Sequence, residues 1–188
     1  MKALQLILRY IMYFFTARGK HAAQAPFLYE FITQVINEST DDENCNSIEA
    51  LRKELCQSEK EIQITDFGAG STINNSKTRK VKDIVKNSAK NAKFGKLLYR
   101  IIQFYKPKNI LELGTSLGIS TSYLAKADAN ANVFTFEGCP ATATIAQENF
   151  DKLNIKNISI ILGNFNLTLA NKLKKILTID LAFIDGNH

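Results

Sequence analysis

The stretch Asn109-Ile-Leu-Glu-Leu-Gly-Thr-Ser-Leu-Gly-Ile-Ser120 decides the fold of this 188-residue chain. An apolar run stops at Gly114, passes through small residues to Gly118 and restarts with helical character. A strand that ends in a loop of little side-chain bulk and feeds a helix N-terminus brings a nucleotide-like ligand against bare backbone N–H groups. The stretch therefore reads as strand, turn and helix, and as a candidate cofactor loop.

Downstream the same rhythm continues. Apolar runs at 110–113, 133–136, 158–162 and 179–184 alternate with helical patterns at 119–127, 141–153 and 167–176. Short apolar runs separated by helices predict parallel strands covered on both faces. The expected fold class is α/β: a Rossmann-like, doubly wound, mainly parallel sheet. Upstream, the first hundred residues read as helical, with candidates at 2–16, 27–38, 47–57, 79–90 and 93–105. In the last of these Phe94, Leu97, Leu98, Ile101, Ile102 and Tyr105 recur at three- and four-residue steps and form one apolar stripe, closed by Pro107. The polar segment 39–46 lacks periodicity and reads as a loop. The expected division is a helical N-terminal extension and cap, 1–106, followed by a Rossmann-like domain, 107–188.

With 45% hydrophobic and 22% charged residues, the composition is that of an ordinary globular protein. Cys45, Cys56 and Cys139 are scattered, without metal-site or disulfide-framework spacing, and fit a reducing, cytoplasmic setting. The apolar segment 1–15 carries Arg9 and is too short to span a bilayer, so it reads as a docking helix and no transmembrane segment is expected. The net charge is +6, but residues 77–100 hold nine Lys or Arg against one acid, Asp83. Such a block suits phosphates, nucleic acid or an acidic partner. Without interleaved exposed aromatics or a nucleic-acid motif, a solvated basic face is the preferred reading.

Three features fall at the C-terminal ends of successive predicted strands, where open α/β sheets bind ligands. The first is Glu112-x-Gly114-x-x-x-Gly118-x-Ser120. The second is Glu137, 23 residues after Gly114 and placed to accept hydrogen bonds from ribose hydroxyls. The third is Gly163-Asn164-Phe165, whose amide and ring suit an adenine edge and face. Ser116 stands where the dinucleotide fingerprint has a close second glycine, which disfavours a pyrophosphate-bearing ligand. Glu112 at the strand end suits a ligand with a cationic group, and S-adenosylmethionine has one. A second glycine cluster, Asp66-Phe-Gly-Ala-Gly-Ser71, reads as a turn, and His21 as a structural histidine.

The motifs Glu112–Ser120, Thr135-Phe-Glu-Gly138 and Asp180-Leu-Ala-Phe-Ile-Asp-Gly-Asn-His188 resemble those of class I S-adenosylmethionine-dependent methyltransferases, in particular the O-methyltransferase-like branch that includes small bacterial proteins with an N-terminal helical extension. Lys20-His21 and Pro26-Phe27 resemble a feature of those extensions. The resemblance implies that Gly114, Thr115, Ser116 and Gly118 line the methionine and ribose portions of the cofactor, with Ser120 at the helix start. It places the ribose diol on Glu137 beside Gly138, and the adenine against Gly163, Asn164 and Phe165. Asp185 is the implied catalytic or metal-binding carboxylate, with Mg2+ as the candidate ion, and His188 is a candidate general base. The implied reaction is methyl transfer to an O or N nucleophile of a small-molecule acceptor. An NAD(P)-binding oxidoreductase and a non-catalytic fragment that binds nucleic acid or an acidic partner through 77–100 remain as alternatives. The sequence stops after the fourth strand, where this class has three more. The chain is therefore expected to be C-terminally incomplete, with 181–184 as an open edge through which a homo-oligomer could form.

Overall fold

The computed structural model describes residues 7–9, 12, 26–65, 78–176 and 178–186. The chain divides into two compact units, Met1–Ser39 and Thr40–His188. In the first, helix α1 (Pro26–Phe31) runs into a π-helical turn, Ile32–Ile36. Phe27 and Phe31, four residues apart on one face, stack at 6.3 Å. Of the helix expected over 2–16, Ile7–Arg9 and Met12 are described, in helical conformation. His21 and the glycine cluster 66–71 lie outside the described residues.

The second unit starts with α2 (Glu43–Leu55). The Asp42 side chain accepts from the Asn44 N–H at 2.8 Å and caps it. The expected loop 39–46 is thus half helix: Glu43, Asn44 and Asn46 of the first turn are polar, and the single buried Cys45 leaves no apolar period to read. Cys45, Ile48, Leu51 and Leu55 form the buried stripe. Two short strands follow, β1 (Glu61–Gln63) and β2 (Thr78–Lys80), paired antiparallel with Ile62 opposite Arg79. The helical reading of the front half did not contain this ribbon. Helix α3 (Val81–Ser88) then leads to α4 (Ala92–Tyr105), which Asn91 caps through Phe94 N–H and which ends at Lys106 in the left-handed region, φ 50°.

A parallel four-stranded sheet forms the rest. It comprises β3 (Asn109–Leu113), β4 (Asn132–Glu137), β5 (Ile158–Leu162) and β6 (Leu181–Ile184), in the order β5-β4-β3-β6. The connecting helices are α5 (Ile119–Ala127), α6 (Pro140–Lys152) and α7 (Phe165–Leu173). One sheet face packs Ile110 and Val133 into a core that runs from Cys45 of α2 through Ile102 and Tyr123 to Phe150. Gly95 lets α4 and α5 approach, since a Cβ there would lie 2.3 Å from the Tyr123 ring. Helices flank the sheet on both faces, as expected, with the denser packing on this side. On the other face α7 meets the sheet through Phe165, edge-on to Phe136, and Lys172, over the Phe134 ring at 5.3 Å. No α7 residue is buried, and every residue of β5 and β6 is half-buried or exposed.

Among the described residues no helix is long and apolar enough to cross a membrane. Pairing β3 with both β4 and β6 brings the ends of these strands, and with them Gly114, Glu137 and Asp185, to one edge of the sheet.

Candidate functional site

The loop leaving β3 is built by backbone geometry. Gly114 (φ 102°), Ser116 (φ 49°) and Gly118 (φ 80°) all lie in the left-handed half of the map. A Cβ on Gly114 would sit 2.9 Å from backbone atoms of Asp185 and Gly186, and one on Gly118 would sit 2.5 Å from the Phe150 ring. The Gly114 and Thr115 N–H groups both donate to Phe136 O, at 3.0 and 3.1 Å, which ties the loop to β4. Ser116 adopts the conformation that glycine takes without penalty, at a cost of about 1–2 kcal/mol for an L-residue. Its side chain, which spoke against a pyrophosphate ligand in the sequence, has not changed the backbone path.

Glu137 ends β4 and is held from both sides. Oε2 accepts from Ser116 N–H at 2.7 Å and Oε1 from Cys139 N–H at 2.9 Å. A carboxylate offers about four lone-pair positions, so roughly two remain for a ligand. Below the loop, Glu112 is fully buried and accepts from the hydroxyls of Ser120 (2.8 Å), Thr121 (2.5 Å) and Thr135 (2.7 Å). Burial pushes its carboxyl from the usual 4.5 up to about 7, against the pull of the three hydroxyls, and the charge of Asp185 adds to the rise.

These groups open onto a cavity of about 1110 Å³. Gly114, Thr115, Ser116, Ser120, Glu137, Gly138, Gly163, Asn164, Phe165 and Asp185 all line it, whereas Glu112 and Gly118 lie behind its wall. Asn164 caps α7, its side-chain oxygen accepting from Asn166 N–H at 2.9 Å, which leaves its NH2 group available. Gly163 (φ 130°) donates its N–H to Glu137 O at 2.8 Å. His188 lies outside the described residues.

Asp185 pairs with Lys90 at 2.8 Å, and among the described residues no three His, Cys, Asp or Glu side chains cluster as a metal site. A single carboxylate matched to a lysine is not the oxygen-rich set that Mg2+ takes. The donor set therefore does not fit the expected ion.

The far wall of the cavity was absent from the sequence reading. It comes from β1, β2 and the α3–α4 region, and includes Glu61, Arg79, Lys80, Asp83, Ser88 and Lys90. Thr65 N–H to Cys139 Sγ (3.4 Å) and the Lys60–Glu148 ion pair (3.3 Å) fasten this ribbon to α6 and the turn before it. The basic block is correspondingly not a uniform solvated face. Lys80 and Lys82 pair with Glu59, Lys90 pairs with Asp185, and Lys96 donates to Thr40 O. The available signal was the polar–apolar–polar alternation of Glu61-Ile62-Gln63, and a three-residue strand is too short for it to stand out.

Residues 111–188 match a family model described as a methyltransferase domain. Over 62 residues the chain is 42% identical to a catechol O-methyltransferase of Niastella koreensis, a match covering 32% of this chain and 28% of that protein. The fold superposes on the O-methyltransferase TomG from Streptomyces achromogenes, involved in tomaymycin synthesis and solved in complex with SAM. The TM-score is 0.51 at 18% identity, over 83% of this chain and 59% of that one. It also superposes on cofactor-bound Rv0187 from MTB, with a TM-score of 0.50 at 20% identity, over 87% and 62% of the two chains. The chain thus spans less than two thirds of the length of each of these relatives. None of the comparisons supports the oxidoreductase or nucleic-acid alternative. Residues 111–188 thus match a methyltransferase-domain model, and the strand order is that of a Rossmann-like sheet.

Proposed function

We propose that this chain binds S-adenosylmethionine at the edge where β3, β4 and β6 end, and transfers its methyl group to an oxygen of a small-molecule acceptor, in the cytoplasm. The observation that carries the reading is Glu137: a carboxylate fixed by the N–H groups of Ser116 and Cys139, with lone pairs left over, beside a loop whose backbone turns on two glycines and a left-handed serine. That arrangement fits a ribose diol. Gly114, Thr115, Ser116 and Ser120 would flank the methionine and ribose portions, and Gly163, Asn164 and Phe165 the adenine. Glu112 lies behind this wall as a buried carboxyl that faces three hydroxyls, and it holds the loop and the start of α5 in place.

When bound, the cofactor supplies an electrophilic methyl on a sulfonium. The protein's part is to align the acceptor oxygen and exclude water, and proximity of this kind accounts for much of the rate in such transfers. The acceptor hydroxyl loses one proton as its oxygen gains the methyl. Asp185, held by Lys90, and His188 are the groups we assign to that proton. The cavity exceeds the roughly 300–1,000 Å³ of a single-ligand pocket, which leaves room for an acceptor beside the cofactor. The cytoplasmic reading is supported by the three free cysteines.

Photolabelling tests the placement. Ultraviolet irradiation with S-adenosylmethionine, followed by peptide mapping, should label peptides within 114–120 or 137–142, and S-adenosylhomocysteine should displace the label. Label elsewhere, or label displaced by NADH and not by S-adenosylhomocysteine, overturns it.

A further inference from the structure

In the reading above the cofactor takes one wall of the cavity, and the opposite wall carries a charge with no counter-ion among the described residues. In the β1–β2 ribbon Arg79 is paired with Ile62, which is 8% exposed and belongs to the core, so the two share the ribbon face that packs on the core at the rim of the cavity. Lys80, the next residue, lies on the other face, which also borders the cavity, and pairs with Glu59 at 2.9 Å. Arg79 lines the cavity, and its Nε–H is buried without a hydrogen-bond partner among the described residues. A guanidinium stays charged at every accessible pH. A buried donor left unpaired costs stability, and in native proteins such a group asks for a partner.

Its surroundings sharpen the point. Arg52 also has a buried nitrogen without a partner, but its Nε donates to Glu49 at 3.0 Å and its charge is matched. Three cations line the cavity: Lys80 is paired with Glu59, Lys90 with Asp185, and Arg79 with no carboxylate among the described residues. Glu61 and Asp83 line the same cavity, yet neither forms an ion pair with Arg79. Arginine presents a planar fork of N–H groups that matches the oxygens of a carboxylate or phosphate.

We propose that Arg79 is the anion-binding residue of the acceptor half of the cavity, and that the methyl acceptor is an anionic molecule presenting a carboxylate or phosphate to it. The proposal rests on the methyl-transfer reading above, because that reading assigns the opposite wall to the cofactor.

The test follows the Nε–H resonance of Arg79 in protein labelled with 15N-arginine, with and without saturating S-adenosylhomocysteine. Inorganic phosphate and benzoate are titrated separately at constant ionic strength. The Arg79 resonance, assigned by its loss in Arg79→Lys, should shift saturably with at least one of them. That anion should also raise the melting temperature of the wild type and not of Arg79→Gln. Saturation by phosphate points to a phosphorylated acceptor, and saturation by benzoate alone to a carboxylic acid. The affinity of Arg79→Gln for S-adenosylhomocysteine should stay within twofold of wild type. A resonance that moves with neither anion overturns the proposal, and this measurement on the wild type does not depend on how the variants fold. A tenfold loss of S-adenosylhomocysteine affinity in Arg79→Gln also overturns it, since Arg79 would then serve the cofactor. A chain that binds no S-adenosylhomocysteine but whose Arg79 still titrates keeps the anion site and loses the methyltransferase reading.

Discussion

Replacing Glu112 by glutamine should change how the stability of the protein depends on pH, in a direction the structure dictates. The carboxyl is fully buried beneath the cofactor loop, and burial lifts it from 4.5 to about 7 while three hydroxyls partly offset the lift. Between these two values the folded protein holds a proton that the unfolded chain has released. Stability must therefore fall as pH rises through that window and level off above about 7. A rise of that size corresponds to about 3 kcal/mol. Glutamine keeps the shape and removes the titration. Its oxygen accepts one hydroxyl, and its NH2 can donate to the others, because Ser and Thr hydroxyls also accept. Urea unfolding of wild type and Glu112→Gln, followed by circular dichroism from pH 4.5 to 8, gives the difference directly, since groups common to both cancel. The wild type should lose about 3 kcal/mol relative to the variant across the window. A pH-independent difference would refute the argument, because Glu112 would then have titrated normally and its burial would have carried no penalty.

Two glycines give further predictions. Gly114→Ala places a Cβ 2.9 Å from backbone atoms of Asp185 and Gly186 at φ 102°, so it should destabilise by at least about 2 kcal/mol in urea melts and weaken cofactor binding; a wild-type melting curve would contradict this. Gly95→Ala drives a methyl into the Tyr123 ring at 2.3 Å on the α4–α5 contact. It should cost about 1–3 kcal/mol while S-adenosylhomocysteine affinity in the folded fraction stays unchanged.

The sheet and one wall of the site were legible because their signals are local. The apolar run at 110–113, the glycine turn and the acid at 137 each declare themselves within a few residues, and parallel pairing then brings their ends together. The far wall was not legible. Glu61–Gln63 and Thr78–Lys80 are three-residue strands with one buried apolar side chain, Ile62, between them, and a period of two needs more residues to show. Only tertiary fastening, through Cys139 and Glu148, brings them over the sheet edge. For the same reason Arg79 looked like one more member of a solvated basic run. Ser116 shows the opposite limit. Residue type argued for a departure from the glycine-rich loop, while the backbone keeps the left-handed turn regardless.

Calorimetric titration with S-adenosylhomocysteine tests the central claim most directly. The account predicts saturable binding to the wild type, weakened at least about tenfold in Glu137→Ala, which removes the carboxylate assigned to the ribose, a loss in line with about 1.4 kcal/mol or more for charge-assisted hydrogen bonds. Binding of equal strength in the two proteins, or no saturable heat with a folded wild type, would contradict it.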